Sequence, residues 1–100
     1  MGKVVWTLKS VTHLEAIHDY IARDSAVYAR RFVHDLIKTT DRLGSFPLSG
    51  RVVPELAVPD VREVIFRNYR IVYRVKAGQN MVEVISVVHA SRDFMNTEII

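Results

Sequence analysis

The stretch Asn68-Tyr-Arg-Ile-Val-Tyr-Arg-Val75 decides the fold. Aromatic and β-branched residues fill most of it, and these favour a pleated, half-buried strand. Side chains alternate across a strand, so Tyr69, Ile71, Tyr73 and Val75 share one face, and Arg70, Val72 and Arg74 share the other. The first is a core face. The second, with an arginine on each side of a valine, is either an ordinary wet surface or a place where an anion is held.

Working outward, residues 61–66 and 81–88 have the same strand composition. Arg67-Asn68 or its neighbours turn the chain before the middle strand, and Ala77-Gly-Gln-Asn80 turns it afterwards. Connections this short force antiparallel pairing and predict a meander. Glu63 and Ser86 each break the alternation of their strand, which leaves the facing of both outer strands open. Upstream lie all three prolines (Pro47, Pro54 and Pro59) with Gly50, a rigid irregular connection over residues 45–60. Before it, Ala29, Phe32, Val33, Leu36, Ile37, Thr40 and Leu43 recur at steps of three and four, predicting a long helix with Asp24-Ser25 at its start and Gly44 as a left-handed stop. Thr12-His-Leu-Glu15 matches a capping box and predicts a first helix running to Ala22 or Arg23. Residues 3–9 read as an opening strand.

The expected class is therefore α+β in the order β-α-α-β-β-β. A helical hairpin packs on one face of a mostly antiparallel four-stranded sheet, and Arg70 and Arg74 lie on the uncovered face.

One hundred residues with 49% apolar and 25% charged content predict one domain over residues 1–100. With no cysteine, disulfides and thiolate-held zinc are excluded. The apolar run at the start is too short for a signal peptide or a membrane span, and Trp6 breaks the pattern that would make Gly2 a myristoylation site. The expected address is the cytoplasm, with no membrane partner. The net charge of +3 permits a nucleic acid or an acidic protein as partner without demanding either. Four arginines against the single acid Glu63 fall between Arg62 and Arg74.

No glycine-rich phosphate loop is present, and His13, His18, His34 and His89 lack metal-ligand spacing, so neither cofactor nor metal is expected. What remains is Glu55 in the proline segment, the arginine cluster, and His89 at the end of the last strand. Cleaving a phosphodiester needs a base, a cation beside the phosphorane and an acid for the leaving oxygen, and Glu, Arg and His can fill those roles. The same residues also read as a solvated loop acid, outer-face charges covering the sheet, and a strand-end histidine bonded to backbone.

Several pieces, taken in order, carry a resemblance. They are Trp6-Thr7, Asp19-Tyr-Ile-Ala22, Ala29-Arg-Arg-Phe32, Phe46-Pro-Leu-Ser-Gly-Arg51, Pro54-Glu-Leu56, Val61-Arg-Glu-Val64, Tyr69-Arg-Ile-Val-Tyr73 and Val88-His-Ala-Ser-Arg-Asp93. Together they span nearly the whole chain, which resembles the RelE/ParE superfamily of toxins from type II toxin–antitoxin modules, the plasmid-stabilisation proteins. The resemblance implies a growth-inhibitory toxin whose cognate antitoxin wraps it and masks its working surface. RelE-like members cut mRNA on the ribosome without a metal; ParE-like members poison DNA gyrase. In the YoeB-like branch of the RNA cutters the functional glutamate, arginine and histidine fall on Glu55, Arg70 and His89. There they would take the 2′-OH proton, stabilise the phosphorane and protonate the leaving oxygen. Arg62, Arg67, Arg74 and Arg92 would be nucleic-acid or target contacts. On this reading Arg70→Ala abolishes growth inhibition and leaves the fold largely intact.

The chain departs from the RNA-cutter pattern in having no tyrosine after Tyr73, and its His-Ala-Ser-Arg-Asp ending is closer to the ParE-like members. Three readings stay open: a gyrase-binding toxin first, an mRNA endonuclease as the alternative, and a toxin-derived domain that has lost its activity.

Overall fold

The computed structural model describes residues 2–91. Strand β1 (Lys3–Trp6) leads into helices α1 (Leu8–Ala22) and α2 (Ala26–Asp41), and a short 3-10 turn (Arg42–Gly44) follows. Strands β2 (Arg51–Val52), β3 (Val61–Phe66), β4 (Tyr69–Lys76) and β5 (Met81–His89) complete the chain. They form one sheet in the order β1-β5-β4-β3-β2, in which β1 runs parallel to β5 and the other neighbours are antiparallel. The sheet thus has five strands where four were expected. The additional strand is two residues of the proline segment, long enough only for Arg51 and Val52 to pair with Glu63 and Arg62.

Helix α1 starts a full turn earlier than Thr12. Thr7 is the N-cap: its hydroxyl accepts from the Ser10 N–H at 3.1 Å, while the Ser10 hydroxyl donates back to the Thr7 carbonyl at 2.8 Å. Thr7 also donates its own N–H to Val84, so one residue closes β1 and opens the helix. The Thr12-to-Glu15 pattern lies inside the helix. Ser25 caps α2 through the Tyr28 N–H, as the sequence suggested. Gly44 is not a left-handed stop, because no glycine among the described residues has positive φ. Its small size serves a close approach instead: a Cβ there would sit 2.5 Å from the Gly2 carbonyl oxygen, where β1 crosses the end of α2.

The helical hairpin covers one face of the sheet. Phe32, Leu36 and Leu43 pack there against Ile71, Tyr73, Val75, Val82, Val84 and Val87, with Val4, Trp6, Val64, Phe66 and Tyr69 at the margins. The opposite face is not bare. Val53, Val61, Val72, Ile85 and Val88 form a second buried cluster, joined by Leu56 from the proline segment. The chain over residues 53–56 therefore roofs the arginine face, a correction to the expectation that this face is uncovered.

A β-bulge sets the facing of β5. Val72 pairs with Ser86 but Tyr73 pairs with Val84, so Ile85 is an extra residue on β5. Val82 and Val84 face the helices, Ile85 and Ser86 are both accommodated at the kink, and Val87 returns to the helix side. The two successive buried residues explain why alternation alone could not orient this strand. The bulge is secured from the helix layer, where His13 Nδ1 of α1 accepts the Val87 N–H at 3.2 Å. No helix among the described residues is long and apolar enough to cross a membrane.

Candidate functional site

Arg70 sits near the middle of the sheet, on the face opposite the helices, and is only 7% exposed. Its guanidinium is held on two sides. Nε donates to Glu63 Oε1 at 2.5 Å, while the two terminal nitrogens each donate to one oxygen of Glu55, both at 2.8 Å. Parallel bonds of this kind match the planar fork of arginine to a carboxylate. Glu63 is fully buried and accepts a second arginine, Arg51, through its Nε at 2.6 Å. Arg51 reaches it from the edge strand because β2 places Arg51 opposite Glu63. The result is a charge-balanced chain of four side chains, Glu55–Arg70–Glu63–Arg51. A buried carboxylate with two arginines on it meets the requirement that a buried charge be paired.

The electrostatics follow the contacts. The hydrogen bonds from Arg70 hold the Glu55 carboxyl down at about 2, from an ordinary value of 4.5, against a smaller opposing effect of burial. The same bonds push Arg70 further above its already high value. A carboxylate so stabilised is a poor proton acceptor near neutral pH, since the ideal base has a pKa near the working pH.

His89 lies elsewhere. It pairs with Tyr69 across β4 and β5, and the two rings meet edge-to-face with centroids 5.2 Å apart. Tyr69 faces the helix layer, whereas Arg70 and its register partner Val88 face the other way. His89 therefore lines an open cavity of about 250 Å³ with His13, Ile17 and Tyr20 of α1 and with Tyr69. Burial raises the pKa of Tyr69, with a further push from nearby Tyr20. His89 Nδ1 accepts the Ser91 N–H at 3.1 Å, and the Ser91 hydroxyl lies 2.6 Å away. With Nδ1 engaged as an acceptor, the neutral ring carries its proton on Nε2. Of the three residues singled out for catalysis, Glu55 and Arg70 are in contact, and His89 is across the sheet from both.

The expected contact arginines are mostly engaged with the protein itself. Arg62 donates to the carbonyls of Pro59 and Gly50 and so ties down the proline segment. Arg67, in the two-residue connection after β3, adopts a left-handed backbone with φ of 53°. Its guanidinium lies over the rings of Phe66 and Phe32 at 4.8 and 5.3 Å and approaches Asp35 at 3.4 Å, which fastens the hairpin to α2. Arg74 is half-buried on the face of Arg70, with no ion-pair partner among the described residues. Arg92 lies outside the described residues. Glu63 and Arg51 complete the network and were not singled out from sequence. Among the described residues no group of three or more histidine, aspartate or glutamate side chains is placed to hold a metal ion.

Residues 4–94 match the family model described as the ParE toxin of type II toxin-antitoxin system, parDE. Toxin RelE2 of Caulobacter vibrioides is 37% identical over 93 residues, an alignment covering 92% of this chain and 99% of that protein. Among solved structures, the chromosomal ParDE system from P. aeruginosa superposes with a TM-score of 0.74 at 23% identity, covering 91% of this chain and 98% of that one. The isolated E. coli RelE toxin gives 0.66 at 20% identity, covering 95% and 90%. At such identities the structural likenesses speak for the fold. The family match over nearly the full length identifies more, and the chain belongs to the ParE toxin family of type II toxin–antitoxin systems, within the RelE/ParE superfamily.

Proposed function

We propose that this toxin acts by binding a macromolecular target, DNA gyrase in the manner of ParE-like members, and that a cognate antitoxin neutralises it by covering its working surface. The observation that carries this reading is the separation of Glu55 and Arg70 from His89 by the sheet. A base, a cation and an acid must converge on one phosphodiester to cleave it, and side chains on opposite faces of one sheet do not converge. The low pKa of Glu55 supports the same reading, because a carboxylate already satisfied by an arginine has little affinity for a 2′-OH proton. The family description supports the antitoxin, since a type II module pairs the toxin with one.

The alternative is a ribosome-dependent mRNA endonuclease. It draws support from the contact between Glu55 and Arg70 and from the relative named RelE2. Brief induction in bacteria separates the two. A gyrase poison produces DNA breaks, an SOS response and filamentous cells while translation continues at first. An RNA cutter stops protein synthesis and leaves fragmented mRNA with ribosome-phased ends. His89→Gln sharpens the result, since this exposed residue can be changed with little effect on the fold. Binding predicts that toxicity survives, and loss of toxicity with a folded protein would overturn it.

A further inference from the structure

Two apolar side chains stand out from the segment between α2 and β2. Phe46 and Leu48 are 66% and 62% exposed, with Pro47 between them. Single exposed apolar residues are ordinary on a protein surface, but the turn that carries these two is held in place. Phe46 donates its N–H to the Arg42 carbonyl at 2.9 Å and accepts the Ser49 N–H at 3.1 Å. Pro47 has its φ fixed by its ring, and its carbonyl accepts the hydroxyl of buried Tyr73 at 2.8 Å. The turn is thus pinned to the core while it offers two large apolar groups to solvent. Groups presented this way give up little freedom when a partner covers them.

Directly beside the turn is a recess of about 150 Å³. Among the described residues its walls are mostly apolar, with Gly44 and Pro47 on one side and Val75, Ala77, Met81 and Val82 from the β4–β5 end of the sheet. Gly44 and Pro47 bracket Phe46 in the chain, yet the Phe46 ring turns to solvent instead of lining the recess. An apolar cavity of about 150 Å³ accommodates a benzene ring. The molecule therefore carries, side by side, a phenyl knob and a hole of phenyl size that its own knob does not fill.

A knob and a hole on one patch are self-complementary. A two-fold axis between two copies brings each knob to the other's hole, whereas a knob and a hole on separate faces build rings or open chains. Charge permits the contact. Next to the recess Lys3 and Arg42 stand with Asp41, and Lys76 lies 3.5 Å from Glu83, so neither sign prevails there in a chain of net charge +3. Nucleic acid meets no cationic track on this face. We infer that this face is an isologous contact between two copies of the chain, with Phe46 of each copy seated in the Gly44–Val82 recess of the other and Leu48 beside it.

The face lies at the opposite end of β4 from Arg70 and His89. A dimer built on it leaves the surroundings of both residues to the target, for a gyrase-directed and an mRNA-directed toxin alike.

The test is sedimentation equilibrium of the full chain, purified free of antitoxin, over a range of concentrations. The wild type is expected to show a reversible monomer–dimer equilibrium. Phe46→Ser removes the knob and Ala77→Leu fills the hole. Each is expected to raise the dimer dissociation constant by about tenfold or more, because a buried aromatic anchor carries a large share of the energy of an interface. Both positions are exposed, so the thermal midpoint of the monomer is expected to stay unchanged. Ile65→Ser removes an exposed apolar residue near the other end of the sheet and is expected to leave the equilibrium alone. A wild type that is monomeric at every concentration overturns the inference, as does a dimer that survives both Phe46→Ser and Ala77→Leu. A dimer weakened as much by Ile65→Ser also overturns it, since that marks indiscriminate apolar association. Should Phe46→Ser fail to fold, Ala77→Leu decides by itself: wild-type dimerisation in that variant overturns the inference.

Discussion

On the helix side of the sheet, Leu36, Leu43, Ile71 and Val84 are buried with no charge among them, while on the loop side Glu63 and Arg70 are buried in the same strands a few residues away. Two helices shield the first face with apolar surface. The second has only a few residues of roof, and its interior is completed by ion pairs rather than by hydrocarbon. Apolar burial is non-directional and scales with area, whereas a buried ion pair stands only while each partner is present. One face should therefore fail gradually as side chains are trimmed, and the other should fail abruptly when a single charge is lost.

The largest effect is expected from Glu63→Ala. It strips the buried Arg70 of the carboxylate that holds its Nε, and a loss of about 3–5 kcal/mol should appear in urea unfolding. Replacing Glu63 and Arg70 together by Leu and Met should recover most of that loss, because an apolar pair of similar volume needs no partner. If the double variant is no better than Glu63→Ala, the loss comes from packing and the two faces do not differ in kind. The same logic revises the expectation for Arg70→Ala: it should lower stability as well as function, by leaving Glu63 with Arg51 alone.

Leu36→Ala on the helix face should cost roughly 2–5 kcal/mol through the cavity left behind, with no dependence on salt. Gly50→Ala probes the seam between the faces. A Cβ there would meet both the Glu63 carbonyl oxygen and the Tyr73 hydroxyl at 2.5 Å. That hydroxyl accepts from Gly50 and donates to Pro47, so displacing it should cost about 1–3 kcal/mol and loosen the proline segment, visible as faster exchange of the amide at position 50 than in the wild type.

Glu55→Gln should show its effect mainly in pH dependence. The folded-state pKa is depressed to about 2, from an ordinary 4.5. The stability that ionised Glu55 contributes is therefore fully present above about 4.5 and is lost as pH falls toward 2. Wild type should be the more stable of the two at neutral pH, and the curves should converge between those values. Parallel curves would show that the pair contributes nothing to folding. Ser86→Ala is the smallest change. Its hydroxyl is buried with no hydrogen-bond partner among the described residues, so removing it should be neutral or stabilising by about 1 kcal/mol, read from the thermal midpoint.

Much of this was legible in the sequence because local patterns and tertiary packing agree there. The α2 stripe from Ala29 to Leu43, the Ser25 cap and the meander over residues 61–88 each follow from periodicity and turn chemistry. The start of α1 was obscured because Thr7 and Thr12 both have capping chemistry, and only the Thr7 bond to Val84 decides between them. The two-residue β2 has no periodicity to detect. Glu63 was readable in principle. A turn at Arg67-Asn68 pairs Phe66 with Tyr69 and Ile65 with Arg70, which makes Glu63 the diagonal neighbour of Arg70. Its break in alternation marked a buried partner for an arginine. The proximity of Glu55 to Arg70 came only through the family resemblance, because nothing local fixes where a proline-rich segment folds back.

The extra residue at Ile85 has a consequence beyond its own strand. Side-chain direction in a strand is a matter of parity, and a bulge reverses the parity of everything that follows it. Under unbroken alternation from Val84, His89 would fall on the side of Arg70; with Ile85 as the extra residue, His89 falls beside Tyr69. Two toxins could therefore carry the same histidine in the same aligned column and differ in chemistry, one able to assemble a proton donor beside the arginine and the other not. For this fold, the presence or absence of a bulge between the β4–β5 turn and the histidine is as informative as the histidine itself.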